Sequence, residues 1–237
     1  MSKSLKKFKI EYNGPVDGGV CPPGLHFVRA HERQCHSGKI IWVDAHFSRD
    51  PKKKDHPAPL LVENLYYLFT KANSKSPKIG TINGFPEYEE IDPLIDFWVN
   101  YWRSRGLKFP NKLNLKVIKA LIAYESSFNP NAKASSSTAL GLMQITNTTR
   151  QIVGGAPNEF GFIEVSKEQI HVKQEDLKDP LVNIAVGIRW LAYKFQKIPK
   201  KHTKNTFNML KHYNEWSKKG EEYAKKVIKL SEGNSSK

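Results

Sequence analysis

The stretch from Asn114 to Pro130 leaves the chain little freedom in what it folds into. Leu115, Ile118, Leu121 and Ile122 recur at the three- and four-residue steps that gather side chains on one face of a helix. Glu125 falls on that same face, four residues after Leu121 and three after Ile122. Pro130 cannot continue a helix and biases Asn129 away from helical backbone, so the helix must stop here. A carboxylate therefore stands where an apolar stripe runs out. Burial disfavours the ionised form of such a group and raises its pKa. An acid that keeps its proton near neutral pH is what protonating a glycosidic oxygen requires. The same spacing also suits a Glu at a frayed helix end pointing to water, and alone it does not choose.

The following residues add to the pattern. Glu125-Ser126-Ser127-Phe128-Asn129-Pro130 is followed, after a Ser-rich loop, by Ala139-Leu140-Gly141-Leu142-Met143-Gln144. Asp179-Pro180-Leu181-Val182-Asn183-Ile184 comes next, then Gly187 to Leu191, then Tyr213-Asn214. In order and spacing this series resembles the soluble lytic transglycosylases (SLT), relatives of goose-type lysozyme. A single short motif carries a real false-positive risk, whereas an ordered set over about half the chain does not arise easily. There are departures. Thr138 stands where the family usually has Gly, the loop before Gln144 is one residue longer, and Trp216 replaces the Gly of Y-N-x-G.

The resemblance implies a mainly α fold of the lysozyme-like α+β kind, and an enzyme that cuts peptidoglycan glycan strands without a cofactor. It implies that Glu125 is the single catalytic acid/base. It implies that Met143 and Gln144 line the sugar cleft, that Ser135 contacts substrate from its loop, and that Asn183 and Tyr213 stand close to the site. Tyr213 would bond to the catalytic carboxylate or to a sugar. Each has a plainer alternative: Gln144 capping a turn, Tyr213 in the core, Asn183 capping the helix that runs to Leu191. Glycosidases ordinarily use two carboxylates. Beyond Asp179 of the Asp-Pro motif, none of the matched motifs holds a second, but Glu164, Glu168, Glu175 or Asp176 could fold over the cleft and activate water. The product therefore stays open between a 1,6-anhydro end and a lysozyme-like hydrolytic end.

The division expected is an N-terminal module over 1–88 and a helical catalytic domain over 89–237. In the module, Val28-Arg-Ala-His31 recurs as Val43-Asp-Ala-His46 around Ser37-Gly38-Lys39, which predicts a β-hairpin. Pro51 to Pro59 reads as a linker and Leu60 to Asn73 as a helix. Asp92-Pro93 predicts an N-cap with Pro at the first helical position, and Gly106 a stop after Arg105. No metal site is expected. Cys21, His31, Cys35 and His46 are the only candidates, with His26, His36 and His56 nearby, and their spacing matches no standard zinc pattern. A second hydrolytic site on the peptide stems, or an incidental cluster, are the other readings of these residues.

Charge narrows the partners. The chain carries 38 Lys and Arg against 23 Asp and Glu, a net charge of +15, which attracts polyanions of any kind. A carboxylate-rich wall, an anionic membrane and nucleic acid all qualify. No zinc finger or aromatic RNA-binding signature is present, so nucleic acid is the least expected, and a wall-binding module without catalysis is the other non-enzymatic reading. No apolar run is long enough to span a membrane, and none follows the basic first ten residues as a secretory signal would require. Export by a non-Sec route is expected, with action in the periplasm of a target bacterium. An antibacterial effector of a type VI secretion machine fits that expectation, with a secretion component and an immunity protein as partners. A phage lysin or a conjugation-associated wall opener is the alternative origin.

Overall fold

The computed structural model describes residues 58–72 and 78–233 in full, together with the backbone of four short strands between residues 25 and 49. The strands are β1 (Leu25–Val28), β2 (His31–Gln34), β3 (Ile40–Val43) and β4 (His46–Arg49). β1 pairs antiparallel with β4, and β2 with β3. Val28 lies opposite His46 and His31 opposite Val43, so the two copies of the repeated tetrapeptide face one another across the ladders. The expected turn at Ser37–Lys39, the linker up to 57, and Cys21, Cys35, His36 and His56 lie outside the described residues, as do the side chains of His26, His31 and His46.

The remainder is helical, as expected: α1 (Val62–Ala72), α2 (Asp92–Ser104), α3 (Leu115–Ser126), α4 (Asn147–Val153), α5 (Pro180–Gln196), α6 (Thr206–Asn214) and α7 (Lys218–Glu232). The axis of the packing is α5, whose residues from Pro180 to Tyr193 are all buried, the pattern of a helix enclosed by others. α1, α2, α4 and α6 pack around it, while α3 is gripped between α2 and α7. Asp179 starts α5 by accepting from the amides of Leu181 and Val182, with Pro180 as the first helical residue. Its other carboxylate oxygen accepts from the hydroxyl of Tyr66 on α1. Residues assigned by sequence to the N-terminal module thus contribute to this core, and Leu65 and Ile82 are enclosed in it.

The start of α2 differs from expectation. Ile91, closing a short 3-10 turn over Glu89–Ile91, holds the cap position, and Asp92 is already helical. The carboxylate of Asp92 has other partners. It meets the Lys119 ammonium of α3 at 2.7 Å, both side chains enclosed, and accepts from the half-buried Ile79 amide at 2.9 Å. The stop at Gly106 is as read, with φ of +83°. Among the described residues no helix is long and apolar enough to cross a membrane, and no group of His, Cys, Asp and Glu is arranged to hold a metal.

Candidate active site

α3 explains where Glu125 sits. Asn114 caps its start by accepting from the amide of Lys116 at 2.9 Å, and every residue from Val117 to Ala123 is buried. The last turn surfaces, so Tyr124 and Glu125 emerge side by side, Tyr124 exposed and Glu125 half-buried. Ser127 and Phe128 then take positive φ and turn the chain away. Leu121 and Ile122 are fully enclosed, and burial of each contributes roughly 1.5–3 kcal/mol. Packing therefore decides the position of the carboxylate, and a single hydrogen bond of about 1 kcal/mol decides only its orientation.

That bond comes from Tyr223 of α7, whose hydroxyl donates to Glu125 Oε1 at 2.6 Å. Burial pushes the Glu125 carboxyl above its ordinary pKa, and the Tyr223 hydroxyl pulls part of the way back by favouring the ionised form. No charged side chain is among the influences on it. Burial, and then the charge of Glu125, hold the Tyr223 phenol well above its usual range, and the Tyr213 phenol likewise. Both tyrosines stay protonated donors. Sequence reasoning missed Tyr223. The one available signal was a tyrosine on the apolar stripe of the last helix, beside Ala224 and four residues before Val227.

The other motif residues meet one another. Asn183 is fully buried and accepts from the Met143 amide at 2.8 Å. It donates to the carbonyls of Leu140 at 2.9 Å and Leu177 at 2.7 Å. The Tyr213 hydroxyl donates to the Met143 carbonyl at 2.7 Å, not to Glu125. Gly141 has φ of +78°, and a Cβ there would stand 2.2 Å from the Asn183 amide nitrogen. Gly187 is needed because a Cβ would press to 2.3 Å of the Met143 sulfur. Gln144 is half-buried and donates to the carbonyls of Ala132 and Gly141, closing the turn it belongs to. Met143 is fully buried, which corrects its expected place on the cleft lining, and Asn183, expected close to the site, is a buried brace whose side-chain amide is taken up by backbone groups. Ser135 stands exposed on the loop closed by the Lys133–Leu140 bridge.

This interlock ties the Gly-Leu-Met-Gln turn, the Asp-Pro helix and the Tyr-Asn helix into one unit, and Tyr213 within it feels the charge of Glu125. The transglycosylase SLT domain model matches residues 101–233, more than half the chain. The chain belongs to the SLT family. That family carries lytic-transglycosylase and lysozyme-like activity on peptidoglycan, and peptidoglycan is the substrate class of this SLT domain. No curated protein matches the chain. Where the family usually has Gly in Y-N-x-G, this SLT domain packs the Trp216 ring against His202 and His212, with the Lys211 ammonium 4.6 Å from its centre. Three of the four carboxylates proposed as rivals to Glu125 are engaged elsewhere. Glu164 accepts from Tyr193 at 2.5 Å and Asn158 at 2.7 Å, Glu168 holds Arg105 through two bonds, and Asp176 accepts from the Lys173 amide. Glu175 is exposed on the 3-10 turn Glu175–Lys178.

Proposed function

We propose that this SLT domain is a lytic transglycosylase that breaks the bond between N-acetylmuramic acid and N-acetylglucosamine with Glu125 as its only acid/base. In the first step Glu125 gives its proton to the glycosidic oxygen, and the bond from that oxygen to the muramic C1 breaks. The carbonyl oxygen of the acetamido group takes up the electron-poor carbon. In the second step the ionised carboxylate removes the proton of the muramic 6-hydroxyl, whose oxygen closes on C1 and releases the acetamido group. The proton balance returns Glu125 to its starting state and leaves a 1,6-anhydro end.

One observation carries this reading. Glu125 is half-buried, raised in pKa by that burial, and held by a neutral phenol, and among the described residues no cation fixes it as an anion. A group so placed can alternate between acid and base. The Tyr223 hydroxyl favours the ionised form that the second step needs. A water-activating second carboxylate is the requirement of the hydrolytic alternative, and the engagement of Glu164, Glu168 and Asp176 speaks against it.

Mass spectrometry of digested purified peptidoglycan separates the two chemistries. Anhydro ends are expected, and reducing ends would show hydrolysis instead. Glu125→Gln is expected to abolish either product, and a variant that still cuts the wall removes Glu125 from the mechanism. The same reading puts the place of action in the periplasm, so toxicity to a host is expected only when the protein is directed there.

A further inference from the structure

Beside the carboxylate lies a second cleft, of about 470 Å³, that none of the family motifs accounts for. Its floor is apolar, made by Phe85, Tyr124 and Leu230, and Lys226 and Lys229 stand at its edge. No carboxylate lines it, and among the described residues neither ammonium has a carboxylate partner. Two ring contacts lock it to the catalytic turn. Tyr124 stands edge-on to Tyr223 with centroids 5.3 Å apart, and Tyr223 is the donor to Glu125. Phe85 meets Phe128, three residues beyond Glu125, edge-on at 6.0 Å. Phe85 also lies before residue 101, outside the stretch the family model matches.

We propose that this cleft binds the peptide stem of the wall, and so makes the enzyme select stem-bearing glycan over stripped glycan. The inference rests on the proposed transglycosylase reading and names a feature of its substrate. The chemistry of a stem fits the cleft in both halves. Its alanine methyl groups match the aromatic and leucine floor, and its free carboxylates match two ammonium groups that lack partners. Its position fits as well. A stem hangs from the muramic residue at the scissile bond, and Tyr124 of the cleft touches the Tyr223 ring whose hydroxyl holds the carboxylate that acts there. Phosphate-bearing wall polymers would also answer to the lysines, but they offer nothing to the apolar floor.

The test compares kcat/KM for the full chain on glycan strands of equal length, with stems or with stems removed by an amidase. The wild type is expected to favour stem-bearing strands by about tenfold or more, which corresponds to ~1.4 kcal/mol. In the double variant Lys226→Ala/Lys229→Ala that ratio is expected to fall towards one, chiefly through a higher KM on stem-bearing strands. The Lys→Arg pair is expected to restore it, and strands with amidated stem carboxylates to behave as stripped ones. Equal cutting of both strands by the wild type, or an equal loss on both in the double variant, overturns the stem site. Should the wild type cut neither strand, the transglycosylase reading falls by itself. The cleft is then judged by calorimetric titration of Glu125→Gln with a soluble muramoyl peptide. Binding that is lost with the two lysines upholds the site, while absent binding, or binding only of an inorganic polyphosphate, rejects it.

Discussion

At the scale of the single residue, the site turns on the balance between burial and one phenol at Glu125. Removing the phenol oxygen leaves burial unopposed, so Tyr223→Phe is expected to push the carboxyl higher still. The first step needs the protonated form, and its rate therefore falls as pH rises through that pKa. The falling limb of kcat/KM against pH is expected to move to higher pH in Tyr223→Phe; a limb that stays in place would mean Glu125 does not set it. Stability moves in the same direction. Because the folded-state pKa is raised, the folded protein binds more protons than the unfolded chain in the window between the ordinary and raised values. Stability at this position is therefore lost as pH climbs through that window. Glu125→Gln carries no such charge, so it is expected to melt above the wild type at neutral pH, and the gain should vanish once pH falls below the ordinary carboxylate range, about 4.3. Thermal melts across pH check the sign.

At the scale of elements, the joints between helices hold the site together. Asn183 serves three backbone groups from two different segments, and Asn183→Ala takes the side-chain partner from the Met143 amide and the Leu177 carbonyl, while the Leu140 carbonyl keeps the Ile145 amide. Each unsatisfied group costs about 1–3 kcal/mol, so the variant is expected to lose at least ~2 kcal/mol in urea unfolding. A loss below about 0.5 kcal/mol would show the brace to be dispensable. Such joints also mark how far the bare sequence could be read. α3 was legible because its evidence is local: a 3-4 apolar stripe and a proline stop within 17 residues of Asn114. The expected hairpin rested equally on a local repeat and is present in the backbone pairing. Met143 was misplaced because a polar or flexible side chain in a motif reads alike whether it faces a sugar or a neighbouring helix. Asp92 was read as a cap for the same reason. Its partner Lys119 comes from another helix, and that distant ammonium takes the carboxylate a cap would use. Tyr223 was invisible because nothing in α7 announces what it will meet.

At the scale of the whole molecule, a charge of +15 acts before any contact is made. Attraction of that kind reaches about a Debye length, roughly 10 Å at 0.1 M salt and 3 Å at 1 M. Co-sedimentation of Glu125→Gln with isolated sacculi is therefore expected to weaken steadily as salt is raised, and binding indifferent to salt would leave the charge without a part in capture. A last consequence comes from the length of chain between the acid and its clamp. Tyr223 follows Glu125 by 98 residues. A ribosome that has finished the acid-bearing helix still has most of the groove to make, and the proton has no fixed address until the final helix docks. On the proposed mechanism, copies cut short before α7 are blunt, and the blade is set only when that helix comes home.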